Sequence, residues 1–172
     1  MIASSIVCSL AEARIGETYN QYASSGLLRR RLCEYLDSRL EAPLLLVGEA
    51  AGYRGARISG IPFTSERQLT GRGPAEATAT IVHRVLAETE LTDAVLLWNV
   101  VPTHPGTECS NRRPSEAEVQ AARPFLEALA RGRRVVAIGR IAQAATRAPY
   151  VRHPSHGGVQ AFRSGLVELL GE

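Results

Sequence analysis

The sequence predicts an α/β fold, a single-domain three-layer αβα sandwich over residues 1–172 with a central four-stranded parallel sheet. Three observations carry that expectation. Short apolar runs at 44–47, 94–98, 134–138 and 150–151 have the unbroken hydrophobicity of strands buried on both faces. Between them lie segments whose apolar residues recur at helical spacing, and strands alternating with helices imply parallel pairing through crossovers. Polar signatures follow the first, second and fourth runs, which gathers them at one carboxyl edge of one sheet, where such folds bind ligands.

Residues 1–24 read as one helix or two short ones with a polar break near Gly16. A firmer helix covers 26–40, with Leu28, Leu32, Leu36 and Leu40 on one face and at least two of Arg29, Arg30 and Arg31 on the solvated side. Glu41-Ala42-Pro43 ends it before the first strand. From Gly48 to Gly73 six glycines and little periodicity predict a long loop, ordered by Ile58, Ile61, Pro62 and Phe63. Pro74 opens the next helix, with Ile81, Val82, Val85 and Leu86 on one face. The second strand leads directly into Asn99 and a further loop. Ser115 and Glu118 then have the spacing of a capping box, and Val119, Ala122, Leu126 and Leu129 continue the buried face. The third strand ends at Gly139. A short helix near 140–147 returns the chain to the fourth strand, followed by His153-Pro154-Ser155 and a last helix over 158–170 that buries Val159, Phe162, Leu166 and Leu169.

Composition narrows the function. A chain of 172 residues with 45% apolar content can bury one sizeable core. No apolar run reaches the ~18 residues of a membrane span, and the N-terminal segment has no basic leader, so a soluble cytoplasmic protein of bacterial type is expected. Cys8, Cys33 and Cys109 are odd in number and far apart, which predicts free thiols and no metal site. All 20 basic residues are arginine. Without lysine there is neither a phosphate-loop lysine nor a side-chain amine for a Schiff base. A net charge of +3 is compatible with a polyanionic partner without requiring one.

Gly48-Glu49-Ala50-Ala51-Gly52 places small residues at a strand end, where backbone amides can approach a ligand closely; alone it is also a plain strand-to-loop turn. Asn99 carries an amide that can accept from one edge of a base and donate to another. His153 can donate to charge developing on a leaving group. Ser155 has no G-x-S-x-G elbow around it and is not read as a nucleophile. Glu49 is the nearest carboxylate and suits the holding or activation of water, or the stabilisation of a developing positive charge.

Taken together, these segments resemble the active site of the uracil-DNA glycosylase superfamily. Gly48 to Gly52 is similar to the GEAPG element of the iron–sulfur branch, and the resemblance extends over about residues 43–170. It implies hydrolysis of uracil from DNA, single- or double-stranded, to leave an abasic site, by a monomeric and monofunctional enzyme. Substrate-binding positions would be Gly48, Ala50, Ala51, Gly52, Tyr53, Phe63, Asn99 and Ser155. Phe63 would stack on the extruded base, Asn99 would read its N3–H and O4, and His153 would bond O2, with Glu49 completing the catalytic set. Arg54, Arg57, Arg112, Arg152, His156 and Gly157 are candidate DNA contacts.

The departures from the family are equally specific. Ala50 stands where relatives carry a catalytic aspartate, and Gly52 replaces a thymine-excluding tyrosine, with Tyr53 adjacent. Thr103 and Ala122 occupy two cluster-cysteine positions, so no iron–sulfur cluster and no other cofactor is expected. His156-Gly157-Gly158 replaces the bulky wedge. Release of hypoxanthine, xanthine or mismatched thymine, or non-catalytic binding of flipped bases or abasic DNA, remain the alternatives.

Overall fold

Alternation along the strands sorts the apolar side chains into two cores. In the computed structural model, which describes residues 2–170, β1 (Leu44–Ala50), β2 (Val95–Val101), β3 (Arg134–Ile138) and β4 (Tyr150–Val151) form one sheet in the order β2-β1-β3-β4, with every pairing parallel. Leu45, Val47, Leu96, Trp98, Val100 and Ala137 face one core, shared with α1 (Ile2–Glu12), α2 (Gly26–Ser38), α6 (Glu116–Ala130) and α7 (Arg140–Thr146). Leu46, Val95, Leu97, Val136 and Ile138 face the other, covered by α5 (Ala77–Glu88) and α8 (Val159–Leu170). A parallel sheet buried on both faces needs apolar residues at successive positions, which is why its strands read as unbroken runs. The edge strand β2 is closed at Leu97 by Tyr35, whose hydroxyl accepts from the Leu97 N–H at 2.7 Å and donates to its carbonyl at 3.4 Å.

The predicted three-layer architecture and four-stranded parallel sheet are found, with corrected boundaries. β1 runs through Gly48 and Glu49 to Ala50, and β2 through Asn99 to Val101, because the pairings Gly48↔Asn99 and Ala50↔Val101 continue the ladder past the apolar runs. Asn99 is thus a strand residue. The long loop between Gly48 and Gly73 holds two short helices, α3 (Ala56–Ser59) and α4 (Glu66–Thr70). Ser65 and Gln68 form a capping box at the start of α4. Pro74 lies outside α5, whose N-cap is Glu76. α2 ends at Ser38, and in α8 only Phe162 and Leu166 are fully buried, while Val159 and Leu169 are partly exposed.

The loop between β1 and α5 is pinned from beneath by α2 and the segment before it. Tyr22 donates from its hydroxyl to the Gly60 carbonyl at 2.9 Å, and Arg31 grips Glu66 with two hydrogen bonds of 2.8 and 3.1 Å. Arg29 donates to the carbonyls of Tyr22 and Ala23. Two residues of the arginine run therefore hold local structure, a role that helical spacing alone does not reveal. No helix among the described residues is long and apolar enough to cross a membrane.

Candidate active site

Where β1 and β2 leave the sheet side by side, Gly48 and Asn99 lie directly opposite each other. By strand alternation both share the α5/α8 face with Leu46 and Leu97. The Phe63 ring fills the space that a side chain on Gly48 would need: a Cβ there would land on the ring and come within 3.1 Å of Asn99 Oδ1. The absence of a side chain at 48 is what lets the aromatic ring and the amide converge. Phe63 is 7% exposed and adopts φ 52°, a left-handed conformation that costs a non-glycine residue about 1–2 kcal/mol. Its neighbours hold it there. Thr64 N–H donates to the Ile61 carbonyl at 3.2 Å, Ser59 Oγ donates to the Thr64 carbonyl at 2.6 Å, and Thr64 Oγ1 lies 3.2 Å from His83 Nε2.

A cleft of about 260 Å³ opens at this point. Drug-sized sites occupy ~300–1,000 Å³, so the space suits a single heterocycle. Glu49, Ala50, Ala51 and Gly52 form one wall, with Phe63, Asn99 and His153 around it. Asn99 is 4% exposed, and its amide has no partner within the protein among the described residues. Buried polar groups are ordinarily hydrogen-bonded, so an unengaged amide at a cleft is available to a ligand.

His153 is oriented by its own turn. The Ser155 backbone N–H donates to His153 Nδ1 at 3.2 Å, and Ser155 Oγ lies 2.8 Å from the same nitrogen. A backbone amide can only donate, so Nδ1 accepts, and the proton of the neutral ring sits on Nε2. Burial, reinforced by nearby His156, holds the His153 pKa below the usual histidine value. The result is a neutral imidazole with Nε2–H to offer. On the opposite side, burial pushes the Glu49 carboxyl up, partly offset by the positive charge of Arg113.

The turn after β1 is laced to the loop after β2. Ala51 N–H donates to the Val101 carbonyl at 3.2 Å, and Tyr53 N–H donates to Asn111 Oδ1 at 2.9 Å. Fully buried His104 stands between, with Nδ1 2.7 Å from the Ala51 carbonyl and Nε2 2.7 Å from the Thr107 carbonyl. These contacts fix backbone positions to which the sequence motif alone gives no anchor.

The cleft thus brings together Glu49, Ala50, Ala51, Gly52, Phe63, Asn99, His153 and Arg112 of the expected site. Gly48 lies beneath Phe63, and Ser155 is hydrogen-bonded to His153. Tyr53 does not line the cleft; Arg54 stacks over its ring at 5.4 Å. Among the expected phosphate contacts, Arg112 is committed to Glu118 by hydrogen bonds of 2.8 and 2.6 Å. Arg57 lies over Tyr19 and within 3.3 Å of Glu108. Arg54 and Arg152 are exposed and have no acidic partner among the described residues, and His156 and Gly157 project on an exposed turn with positive φ. Sequence reasoning missed Glu76, Thr78, Pro105 and Asn111, which also line the cleft. Glu76 sits between two alanines at a helix start, so only tertiary contact reveals it.

The positions corresponding to cluster cysteines do not fit an iron–sulfur group. Thr103 is buried with its hydroxyl 2.6 Å from that of Thr18, and Ala122 packs into the core. Cys8, Cys33 and Cys109 are free.

A four-stranded parallel sheet with a small cleft at its carboxyl edge, lined by an aromatic ring, an amide and an imidazole, defines an α/β protein of the three-layer class. The family model of the uracil DNA glycosylase superfamily matches residues 36–167, and the chain belongs to that superfamily, whose chemistry is hydrolysis of N-glycosyl bonds in DNA. Its fold is similar to the crystal structure of wild-type SMUG2 from Pedobacter heparinus, with a TM-score of 0.71 at 12% identity, covering 99% of each chain. Among curated proteins nothing matches the sequence significantly.

Proposed function

We propose that this protein removes uracil from DNA by hydrolysing the N-glycosidic bond, leaving an abasic site. The observation that carries the reading is the convergence of Asn99 and His153, each with an unspent polar end, on one base-sized cleft beside Phe63. Asn99 Oδ1 accepts from uracil N3–H while its NH₂ donates to O4, a pattern that cytosine reverses. Phe63 lies beside the base. When the C1′–N1 bond breaks, both electrons leave with the base and negative charge grows on O2. A neutral Nε2–H from His153 stabilises that charge more than it stabilises bound substrate, which lowers the barrier. Water is the nucleophile, since the sequence has no lysine for a covalent route.

The exposed guanidiniums of Arg54 and Arg152 and the turn at His156-Gly157 are assigned to the DNA backbone. The reaction as drawn uses no metal or organic cofactor. Metal analysis of the purified protein is expected to find no stoichiometric iron; about four iron atoms per chain would overturn that assignment.

The test is base release from single-stranded and duplex oligonucleotides carrying uracil, hypoxanthine, xanthine or mismatched thymine, read by alkaline cleavage of the abasic product. Release of uracil in preference to the others is expected. Release of another base alone would reassign the substrate, and tight binding of uracil-DNA with no release of any base would make the protein a binder.

A further inference from the structure

Glu76 is the N-cap residue of α5, yet its carboxylate makes no capping hydrogen bond. It turns instead into the cleft, where its oxygens lie over the α-carbons of two glycines. A Cβ on Gly52 would land on Oε1, and one on Gly55 would land on Oε2. Gly52 and Gly55 thus form a cradle that exists only because neither has a side chain. The carboxylate is largely buried and meets no donor or cation among the described residues; burial alone pushes its pKa up. A carboxylate left without partners destabilises the fold, although the α5 N-terminus favours its ionised form. An uncompensated charge of this kind, lining a cleft, marks a group whose partner arrives with the ligand.

The chemistry of that partner follows by elimination, and it rests on the glycosidic hydrolysis proposed above. Asn99 and His153 occupy the polar edge of the base, and a carboxylate repels DNA phosphates. What remains is the sugar and the attacking water. We propose that Glu76 is a second catalytic carboxylate, facing the deoxyribose from the α5 side of the cleft. As the C1′–N1 bond breaks and the base takes the electron pair, Glu76 stabilises the cationic sugar. As the water oxygen bonds to C1′, Glu76 accepts the proton that the water loses. Glu49 lies on the alternate strand face, in step with Leu45 and Val47, and the positive charge of Arg113 attends it. Glu76 has no such attendant.

The experiment compares the parent with Glu76→Gln and Glu49→Gln. Each is measured for single-turnover release of uracil, for affinity toward oligonucleotides carrying a cationic pyrrolidine or a neutral tetrahydrofuran abasic analogue, and for Tm at neutral pH. The parent should bind the cationic analogue about tenfold or more tightly than the neutral one. Glu76→Gln should abolish that preference, slow release about a hundredfold to ten-thousandfold, and raise Tm, because it removes a buried charge that only the α5 N-terminus offsets. Glu49→Gln should weaken the preference less than Glu76→Gln does. Gly52→Ala, whose methyl displaces the carboxylate, should reproduce the lost preference without altering Glu76 itself. Retention of the preference by Glu76→Gln, or a fall in Tm with parallel loss of both affinities, overturns the catalytic role while leaving the glycosylase reading intact. A parent that releases no base and favours neither analogue overturns both.

Discussion

Two glutamates at helix starts, Glu76 at the N-cap of α5 and Glu118 in the first turn of α6, show how the same side chain serves opposite ends. Glu118 is 2% exposed and fully engaged. Arg112 grips both its oxygens, the Ser115 N–H donates to it at 2.8 Å, and the Glu17 N–H donates at 3.3 Å. The Arg112 hydrogen bonds, aided by the backbone donors, hold its carboxyl down at about 2. Glu76 has none of these partners, and its carboxyl is pushed up. Saturation with donors, rather than burial alone, separates the carboxylate that ties its surroundings together from the one without a partner among the described residues.

The sharpest way to break this comparison is to remove the engaged partner. Glu118→Ala leaves Arg112 and two backbone N–H groups without their acceptor and should cost about 2–4 kcal/mol in urea denaturation, since hydrogen bonds to a charged group typically contribute about 1.5–3 each and the half-exposed Arg112 regains water. The pH dependence has a definite sign. Because the folded carboxyl titrates below its unfolded value of ~4.3, its stabilisation is complete above that value and is lost as pH falls toward about 2. Glu118→Gln should therefore lose less stability than the parent over that interval. An equal acid loss in both would mean that other carboxylates carry the dependence.

Next in size is His153→Ala, expected to slow single-turnover release about a hundredfold to a thousandfold while affinity for uncleavable uracil-DNA changes far less. The depressed pKa of His153 should also keep the parent active as pH falls below the ordinary histidine value of ~6.5. Rates near the parent's in His153→Ala would detach this residue from the leaving group. The smallest expected effect belongs to Gly48→Ala. Its methyl must displace the Phe63 ring, and overpacking of this kind typically costs about 1–3 kcal/mol. Base affinity should fall with stability, and an unchanged Tm would show that the ring moves freely.

The sheet and most of its helices were legible because strands buried on both faces declare themselves as apolar runs. The same logic put Asn99, His153 and the turn after β1 at one edge, and there they meet. Strand ends were hidden where the chain turns polar for the sake of the cleft: Gly48, Glu49 and Asn99 look like loop residues but continue the ladder. The capping box at Ser65 and Gln68 was present in the sequence yet lay inside a segment whose glycines argue against any helix. Arg112 resembled a free phosphate contact because its partner Glu118 reads as a capping residue only, although Glu118 does both. Glu76 had no local signal, since its proximity to Gly52 and Gly55 arises from the packing of α5 over the turn.

Trp98 is the single tryptophan of the chain, fully buried, its indole N–H without a partner among the described residues, one residue before Asn99. Strand alternation turns its ring into the core shared with α1, α2 and α6, away from the face where Asn99 opens to the cleft. The protein therefore carries a built-in fluorophore that senses the loss of the core and is screened from the binding pocket by the thickness of the sheet. Emission from this one indole can follow unfolding of any variant, so the conformational cost of a substitution can be read optically.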